Sequence, residues 1–293
     1  GGTLALIGGH VSLDGGGLDA GRVELGGLVD SGTVGVNIDG EGKLTLIFPD
    51  DVERANVLLT NKSLVNTSYE NTHVVINANN LDILAESTLD DMEQIKVSKS
   101  IIISDLSSIN GRESSSINAG SLLLSNDARL SAGNIVIGDV ALILEDAILT
   151  AGSQIKINPE TVFLENSEIV GSSGNITADT ISLENSNIWS SGNITAGTIS
   201  LENSNIWSSD NITAGTISLE NDSRMSGNGN LVADTVISEA SQITRDNVQA
   251  RTIDLTADSQ LNASFVRASD SISLTNSVLE NQDKDLASQS PTL

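Results

Sequence analysis

Regularly spaced glutamates are the side chains of this chain best suited to metal or acid–base chemistry. Four of them follow a leucine in related segments: Glu165, Glu184, Glu202 and Glu220. Because side chains alternate along a strand, leucines that face a core leave these carboxylates facing solvent. An outward ladder of carboxylates can recruit Ca²⁺, but hard-cation sites need several oxygens that converge on one point. A solvated acidic stripe is therefore the favoured interpretation, and a calcium cofactor stays an alternative.

Catalysis by these carboxylates would need partners that the sequence does not supply. Lyases and hydrolases built on parallel β-helices use clustered carboxylates together with calcium, a basic residue or a second acid at a defined separation. No Lys or Arg recurs beside the glutamates. The chain has no cysteine, and His10 and His73 are its only histidines, which argues against thiolate metal sites and histidine-based catalysis. We expect no catalytic site, and we assign no metal site.

Two tryptophans form a second candidate site. Trp189 and Trp207 lie 18 residues apart, and each directly follows an isoleucine. If these isoleucines face inward, both indoles face outward and lie one above the other. Exposed aromatic pairs serve as sugar platforms or as contact points for other molecules. The alternative is that the pair is only a by-product of repeat duplication.

Hydroxyl-bearing residues recur on the same spacing. Each Thr-Ile-Ser segment places two hydroxyls outward, in the pairs Thr180/Ser182, Thr198/Ser200 and Thr216/Ser218. Such a ladder is similar to the hydroxyl arrays of ice-binding solenoids. The favoured interpretation is structural, since Thr is a good outward strand residue and the neighbouring glutamates spoil a neutral surface.

An internal repeat explains why all these residues recur. Residues 174–191, 192–209 and 210–227 are close copies, and weaker copies cover 157–173, 229–245, 248–264 and 266–281. Within a copy the apolar residues fall in pairs two apart, which is the strand period, and the Gly-Thr between the pairs suits a turn. A unit of 18 residues cannot bury its own apolar face, but stacked copies can. The sequence therefore predicts an all-β fold: a single-stranded parallel β-helix, or β-solenoid, with about 18 residues per coil in the C-terminal half.

Asparagines mark the expected corners of the coils. Four follow the Leu-Glu pair of successive copies: Asn166, Asn185, Asn203 and Asn221. Asn side chains in register hydrogen-bond along a stack and suit tight turns, so we interpret these four as a structural ladder. Three more open N-glycosylation sequons: Asn175, Asn193 and Asn211. We interpret these as turn residues as well, although they fit the acceptor pattern.

The charge balance narrows the choice of partners. The 39 acidic and 14 basic side chains give a net charge of −25. Nucleic acids and anionic membrane surfaces attract clustered Lys and Arg, so we expect neither as a partner. No apolar run approaches the roughly 18 residues of a membrane span. The chain opens within an alternating apolar pattern and without a signal peptide, so we expect a processed piece of a longer protein.

The apolar pattern divides the chain into four segments: 1–52, 53–118, 119–280 and 281–293. The first is predicted to form Gly-rich β-helix coils, which include VGVNI and LTLIF. The second is predicted to form irregular coils with polar loops at 90–94 and 110–116. The third is predicted to form regular repeats, and the fourth a flexible tail with little apolar content.

The N-terminal third resembles a known family. The resemblance is to the filamentous-haemagglutinin type of large exoprotein, and its residues are GGTLALIGGHVSLDGGGLDAGRVELGGL, LTLIFPDDVERANVLLTN and HVVINANNLDILAESTL. It implies a right-handed β-helix that is the passenger of a two-partner secretion system, with residues 1–52 similar to the end of the secretion domain. The family's Asn-Pro recognition motif is absent here, so the resemblance places transporter recognition on no residue of this chain.

From these observations we expect a non-catalytic, secreted or surface-exposed segment of an adhesin or extracellular filament. It would mediate cell adhesion or aggregation through a repetitive face. The resemblance implies an outer-membrane two-partner secretion transporter as one partner, and cell-surface glycans, proteins or further copies of the chain as others. The alternative is a carbohydrate-binding or polysaccharide-degrading β-helix protein.

Overall fold

The computed structural model describes residues 2–38, 44–67, 73–138 and 140–281. These residues form strands and turns, and among them no helix is long and apolar enough to cross a membrane. Strands pair in parallel with counterparts about 19 residues away in the sequence. This confirms the predicted all-β parallel β-solenoid. The predicted tail at 281–293 lies, apart from Asn281, outside the described residues.

The chain divides into two compact units, Gly1–Ser173 and Gly174–Leu293. The strands of the first unit are β1 (Thr3–Gly8), β2 (Val11–Asp14), β3 (Gly17–Asp19), β4 (Arg22–Gly27), β5 (Gly35–Ile38), β6 (Leu44–Ile47), β7 (Val57–Thr60), β8 (Leu64–Asn66), β9 (His73–Ile83), β10 (Thr88–Ile103), β11 (Ser108–Ala119), β12 (Ser121–Ser125), β13 (Arg129–Ile137), β14 (Ala141–Glu145), β15 (Ile148–Ile157), β16 (Thr161–Glu165) and β17 (Glu168–Gly171). Those of the second unit are β18 (Ile176–Glu184), β19 (Asn187–Ser190), β20 (Ile194–Glu202), β21 (Asn205–Ser208), β22 (Ile212–Glu220), β23 (Arg224–Ser226), β24 (Asn230–Glu239), β25 (Gln242–Thr256), β26 (Gln260–Leu274) and β27 (Val278–Asn281).

Coils of the first unit differ in length but share one aliphatic core. A buried column runs along Val65, Leu89, Ile109, Leu130, Leu149 and Ile169. The steps between these paired residues range from 19 to 24 residues. Each such side chain gains about 1.5–3 kcal/mol on leaving water. The burial of many aliphatic side chains therefore provides the hydrophobic stabilisation that large aromatic residues provide in most cores.

A hairpin departs from the solenoid. Strands β5 and β6 pair antiparallel, with Val36 opposite Leu46, and form a separate two-stranded sheet. The prediction that VGVNI and LTLIF belong to solenoid coils is therefore wrong. Apolar alternation is common to both arrangements, so the period alone does not distinguish them. The backbone N–H of Leu46 donates to the buried carboxylate of Glu24, which ties the hairpin to β4.

The polar stretches 90–94 and 110–116 are also placed differently from the prediction. They lie within β10 and β11 and not in loops. The pairing skips residues there, between Leu89 and Met92 and between Asn110 and Ser116. Extra residues in a strand are accommodated as bulges, so these stretches lengthen the coils without leaving the sheet.

The second unit is the more regular. Its main core column is Ile176, Ile194, Ile212, Leu231 and Val248, with steps of 18, 18, 19 and 17 residues, and half-buried Val266 continues the register after a further 18. The predicted 18-residue coil is thus confirmed. The three closest copies each contain one long and one short strand, as in β20 and β21.

The long strands bend without breaking. Strand β20 continues through Gly197-Thr198, where the sequence predicts a turn. Gly197 and Thr198 are both exposed, between buried Ala196 and Ile199. Two consecutive outward residues shift the inward–outward alternation by one, so the chain bends around the core at this point while staying in the ladder.

Candidate contact face

The short strands β19, β21 and β23 are continued in register by the first residues of β25 and β26, and together they form a sheet with one outward face. One residue of each strand in this sheet is buried: Ile188, Ile206, Met225, Ile243 and Leu261. Their neighbours on either side face outward in two columns that follow the parallel register. The first column is Asn187, Asn205, Arg224, Gln242 and Gln260, and the second is Trp189, Trp207, Ser226, Thr244 and Asn262. We call these two columns the short-strand face.

The two predicted tryptophans lie together on this face. Trp189 pairs in register with Trp207 on the adjacent strand. The Trp189 side chain is 43% exposed and that of Trp207 is half-buried. The next position is Ser226, because Met225 aligns with buried Ile206. The aromatic patch is therefore two coils long, and neither indole fills the core.

A concave depression of about 380 Å³ lies beside the first column. Its polar lining is Asn205, Asp222, Arg224, Ser241, Gln242 and Asp258. Ala240 also lines it, at the corner between Glu239 and Ser241. The equivalent corner in the preceding copies holds an asparagine, as Asn203 does between Glu202 and Ser204. The smaller side chain of Ala240 leaves the space.

Of the six polar side chains that line this depression, four are exposed, whereas those of Asn205 and Ser241 are hydrogen-bonded within the protein. Within the part of the chain that the structure describes, Arg224, Asp222, Asp258 and Gln242 make no side-chain hydrogen bond or ion pair. The sequence reasoning missed them because they lie where the copies diverge. The signal was present: Arg224 is a basic residue in a strongly acidic chain, and Ala replaces the corner Asn.

The predicted glutamate ladder is in register in the second unit. Glu184 pairs with Glu202, and Glu202 with Glu220, and all three are exposed. Glu165 lies in the first unit, where it pairs with Glu145. A further contact involves Asn221, whose Nδ2 donates to Glu202 at 3.0 Å. Among the described residues no group of three or more His, Asp or Glu side chains is arranged to hold a metal ion.

The corner asparagines share one backbone conformation. Asn166, Asn185, Asn203 and Asn221 have φ of 48°, 49°, 47° and 53°. This left-handed region is costly for most side chains but is tolerated by Asn. Asn203 Nδ2 donates to Asn185 Oδ1 at 2.7 Å, whereas Asn221 turns instead to Glu202. The side-chain ladder therefore joins two coils, and the shared backbone turn extends to the others.

The sequon asparagines form their own column. The backbone N–H of Asn193 donates to Asn175 Oδ1 at 3.1 Å, and that of Asn211 donates to Asn193 Oδ1 at 3.2 Å. Asn230 continues the pattern by donating to Asn211 Oδ1 at 2.9 Å. Each side chain thus satisfies a backbone group of the neighbouring coil.

The hydroxyl pairs lie on the long strands. The Thr180, Thr198 and Thr216 column extends in register through Thr235 and Thr252. The Ser182, Ser200 and Ser218 column does not, because Ile237 and Asp254 take the next two positions. The double row of hydroxyls therefore spans three coils and is bordered by exposed glutamates.

A buried serine column was missed by the sequence reasoning. It comprises Ser186, Ser204, Ser223, Ser241 and Ser259, each at most 2% exposed. The Oγ of Ser223 accepts the backbone N–H of Ser204 at 3.1 Å and donates to Glu220 O at 2.6 Å. The signal was the serine that follows each corner in the repeat, as in Leu-Glu-Asn-Ser. The hydroxyls of Ser204, Ser223, Ser241 and Ser259 each accept a bond from a backbone N–H and donate to at least one backbone carbonyl oxygen.

A buried arginine also escaped the sequence reasoning. Arg245 is fully buried, and its guanidinium donates to the carbonyl oxygens of Ser208 at 2.8 Å, Ser226 at 3.1 Å and Asp210. Burial lowers the pKa of Arg245 to about 10, against the opposing effect of the nearby carboxylates of Asp246 and Asp210. The side chain therefore braces the turns at 208–210 and 226–229.

One charged cluster belongs to the first unit. Arg22 Nε donates to the carboxylate of Glu24 at 2.8 Å, and Arg22 Nη1 donates to Glu93 at 3.0 Å. His73 Nδ1 lies 3.7 Å from the same Glu93 carboxylate. Burial raises the pKa of Glu24, and this effect outweighs the opposing one of Arg22. The cluster supports the hairpin at Leu46.

Taken together, the short-strand face offers hydrogen-bond donors, acceptors and aromatic surface to a ligand, with no nucleophile–base pair among its residues. Comparison of the chain with family models, with curated proteins and with solved structures finds no match.

Proposed function

We propose that the chain is a non-catalytic segment of a secreted or cell-surface adhesin that attaches to cell-surface glycans or proteins through the short-strand face. The main support is the register that pairs Trp189 with Trp207 outside the core. Contiguous exposed apolar surface often marks an interaction site.

The solenoid supports attachment in a second way. Parallel coils repeat an outward residue at intervals of about 4.8 Å. A ligand with its own repeat can then make several weak contacts at once, which raises the overall affinity above that of any single contact. The resemblance of residues 1–90 to filamentous haemagglutinins adds an outer-membrane two-partner secretion transporter to the proposed partners. It also adds self-association into filaments as a second outcome of contact.

Attachment is tested with the double variant Trp189→Ser and Trp207→Ser. Because neither ring fills the core, the variant should keep the parent's circular dichroism and unfolding midpoint. Its attachment to cells or its self-association should weaken by about 1 kcal/mol per ring. Parent-like attachment and self-association would show that the paired indoles are inert.

An enzymatic role is tested on the glutamate ladder. A polysaccharide-degrading protein would release oligosaccharides from acidic or neutral polysaccharides, and the release would disappear in the Glu184→Gln, Glu202→Gln variant. We expect no release by the parent. Release that depends on these glutamates would overturn the proposed function.

A further inference from the structure

We propose that the short-strand face and the depression beside it form one binding site for an uncharged oligosaccharide. This inference rests on the proposed attachment function and names the class of ligand. Trp207 and Arg224 are diagonal neighbours on this face, because Arg224 pairs with Asn205, two residues before Trp207 on the same side of β21. One coil spacing and two residues along a strand separate their Cβ positions by about 8 Å.

The polar groups of the depression match the chemistry of sugar hydroxyls. Each hydroxyl both donates and accepts a hydrogen bond. The carboxylates of Asp222 and Asp258 accept, the guanidinium of Arg224 donates, and the Gln242 amide does both. None of these side chains is used by the described part of the protein itself. They are therefore available to a polyhydroxylated ligand without the loss of an existing bond.

The aromatic end of the face supplies the second element of sugar recognition. The C–H faces of a pyranose ring are apolar and pack against aromatic surface, whereas its hydroxyls need polar partners. The second column of the face begins with Trp189 and Trp207 and continues, one coil at a time, with Ser226 and Thr244. A linear chain of sugars that lies across the face would thus contact indoles at one end and the depression at the other.

Charge decides against an anionic ligand. The depression holds one guanidinium and two carboxylates, Asp222 and Asp258. The whole chain carries a net charge of −25. A sulfated or uronic acid polymer would be repelled over the range of the Debye length, so the charge disfavours an anionic oligosaccharide.

The test is titration of the full chain with maltohexaose, cellohexaose and hexa-N-acetylchitohexaose. Binding is measured by isothermal titration calorimetry and by the fluorescence of the tryptophans. We expect at least one of these hexasaccharides to bind and to shift the emission of Trp189 and Trp207. Binding should weaken at least tenfold in Arg224→Ala and in Asp222→Asn. The matched control is Arg251→Ala, which removes an exposed arginine from another strand face and should bind like the parent.

The outcomes separate this inference from the proposed function. Loss of cell attachment in the tryptophan variant, with no hexasaccharide binding, would overturn the sugar site and leave the adhesin role standing. Hexasaccharide binding that depends on Arg224, with attachment unaffected by the tryptophan changes, would support the site and overturn the adhesin role as stated. Binding that is equal in Arg224→Ala and the parent, or stronger binding of a heparin hexasaccharide, would also overturn the site.

Discussion

The backbone N–H of Ser223 donates to the Oγ of Ser241 on the next coil at 3.1 Å, and both serines are buried. The same Oγ donates to Glu239 O at 2.8 Å. The Ser241 hydroxyl thus links two neighbouring coils and also closes the corner turn of its own coil. Buried polar groups of this kind are expensive to leave without a partner, so the serine column fixes the stacking register as well as adding stability.

Replacement of Ser241 by Ala should destabilise the second unit by about 1–3 kcal/mol, because the Ser223 N–H then loses its acceptor inside the core. Urea unfolding followed by circular dichroism measures the change. The control is Ser200→Ala on an exposed strand position, which should stay within about 0.5 kcal/mol of the parent. Equal effects of the two substitutions would show that the buried column adds nothing.

Replacement of Arg245 by Ala should cost more. The change removes a buried side chain and leaves the carbonyl oxygens of Ser208 and Ser226 without their charged donor, for a loss of about 3 kcal/mol. Thermal unfolding should show a clear drop in midpoint. Arg251→Ala removes only an exposed ion pair with Asp270 at 3.3 Å and should cost less than about 1 kcal/mol. A parent-like midpoint for Arg245→Ala would contradict the bracing role.

Replacement of Ile199 by Asp should unfold the protein locally. Ile199 is fully buried, and an unpaired carboxylate there is not tolerated in the core. Because coils of a solenoid contact mainly their neighbours, hydrogen exchange should accelerate at 174–227 before it does at Leu4–Leu25. Thr198→Asp places the same charge on an exposed position and serves as the control. Uniform acceleration along the chain would rule out local unfolding.

Glu24 should make the stability of the first unit depend on pH. Its pKa is raised in the folded state by burial, so the folded state binds more protons than the unfolded state at pH values between the two pKa values. The contribution of Glu24 to the free energy of unfolding therefore becomes more favourable as the pH falls from neutral through the pKa of the folded state. Glu24→Gln removes the titration and keeps an acceptor for Arg22 and Leu46.

The measurement is the difference in unfolding free energy between Glu24→Gln and the parent at several pH values. The advantage of the variant should be largest near pH 7 and should shrink as the pH falls. Glu145→Gln, an exposed change, corrects for the altered net charge. A difference that is constant with pH would show that Glu24 titrates alike in the folded and unfolded states.

The repeat was sufficient to predict the solenoid, because a core column such as Ile176, Ile194 and Ile212 is visible as identical spacing in the sequence. It was not sufficient for the β5–β6 hairpin, since the direction in which two strands pair leaves no mark on their apolar alternation. The turn predicted at Gly197-Thr198 was wrong for a similar reason. Small polar residues suit both a turn that ends a strand and a bend within one, and the packing of the neighbouring apolar residues against the core determines which of the two forms.

The candidate site was predicted only in part. Trp189 and Trp207 were found because the repeat makes their positions equivalent. Arg224 and Asp222 were not found, because they lie in a copy that differs from its neighbours. A search for residues that are identical at equivalent positions of the repeat does not detect the positions at which the copies differ. The buried Ser241 was overlooked for another reason: serine at a turn is ordinary in sequence, and its burial follows from the stacking of coils.

The separation of inward and outward columns has an evolutionary consequence. Since the inward residues of 174–191 and 192–209 are identical, tandem duplication of 18 residues inserts a coil that needs no compensating change inside. Mutation can then retune the outward positions of the new coil one at a time. The segments 174–191 and 192–209 record the first step, and the change from Asn205 to Arg224 to Gln242 along one column records the second. Because each coil contacts mainly its neighbours, a chain of this kind can gain a coil, and with it new outward positions, without a new core.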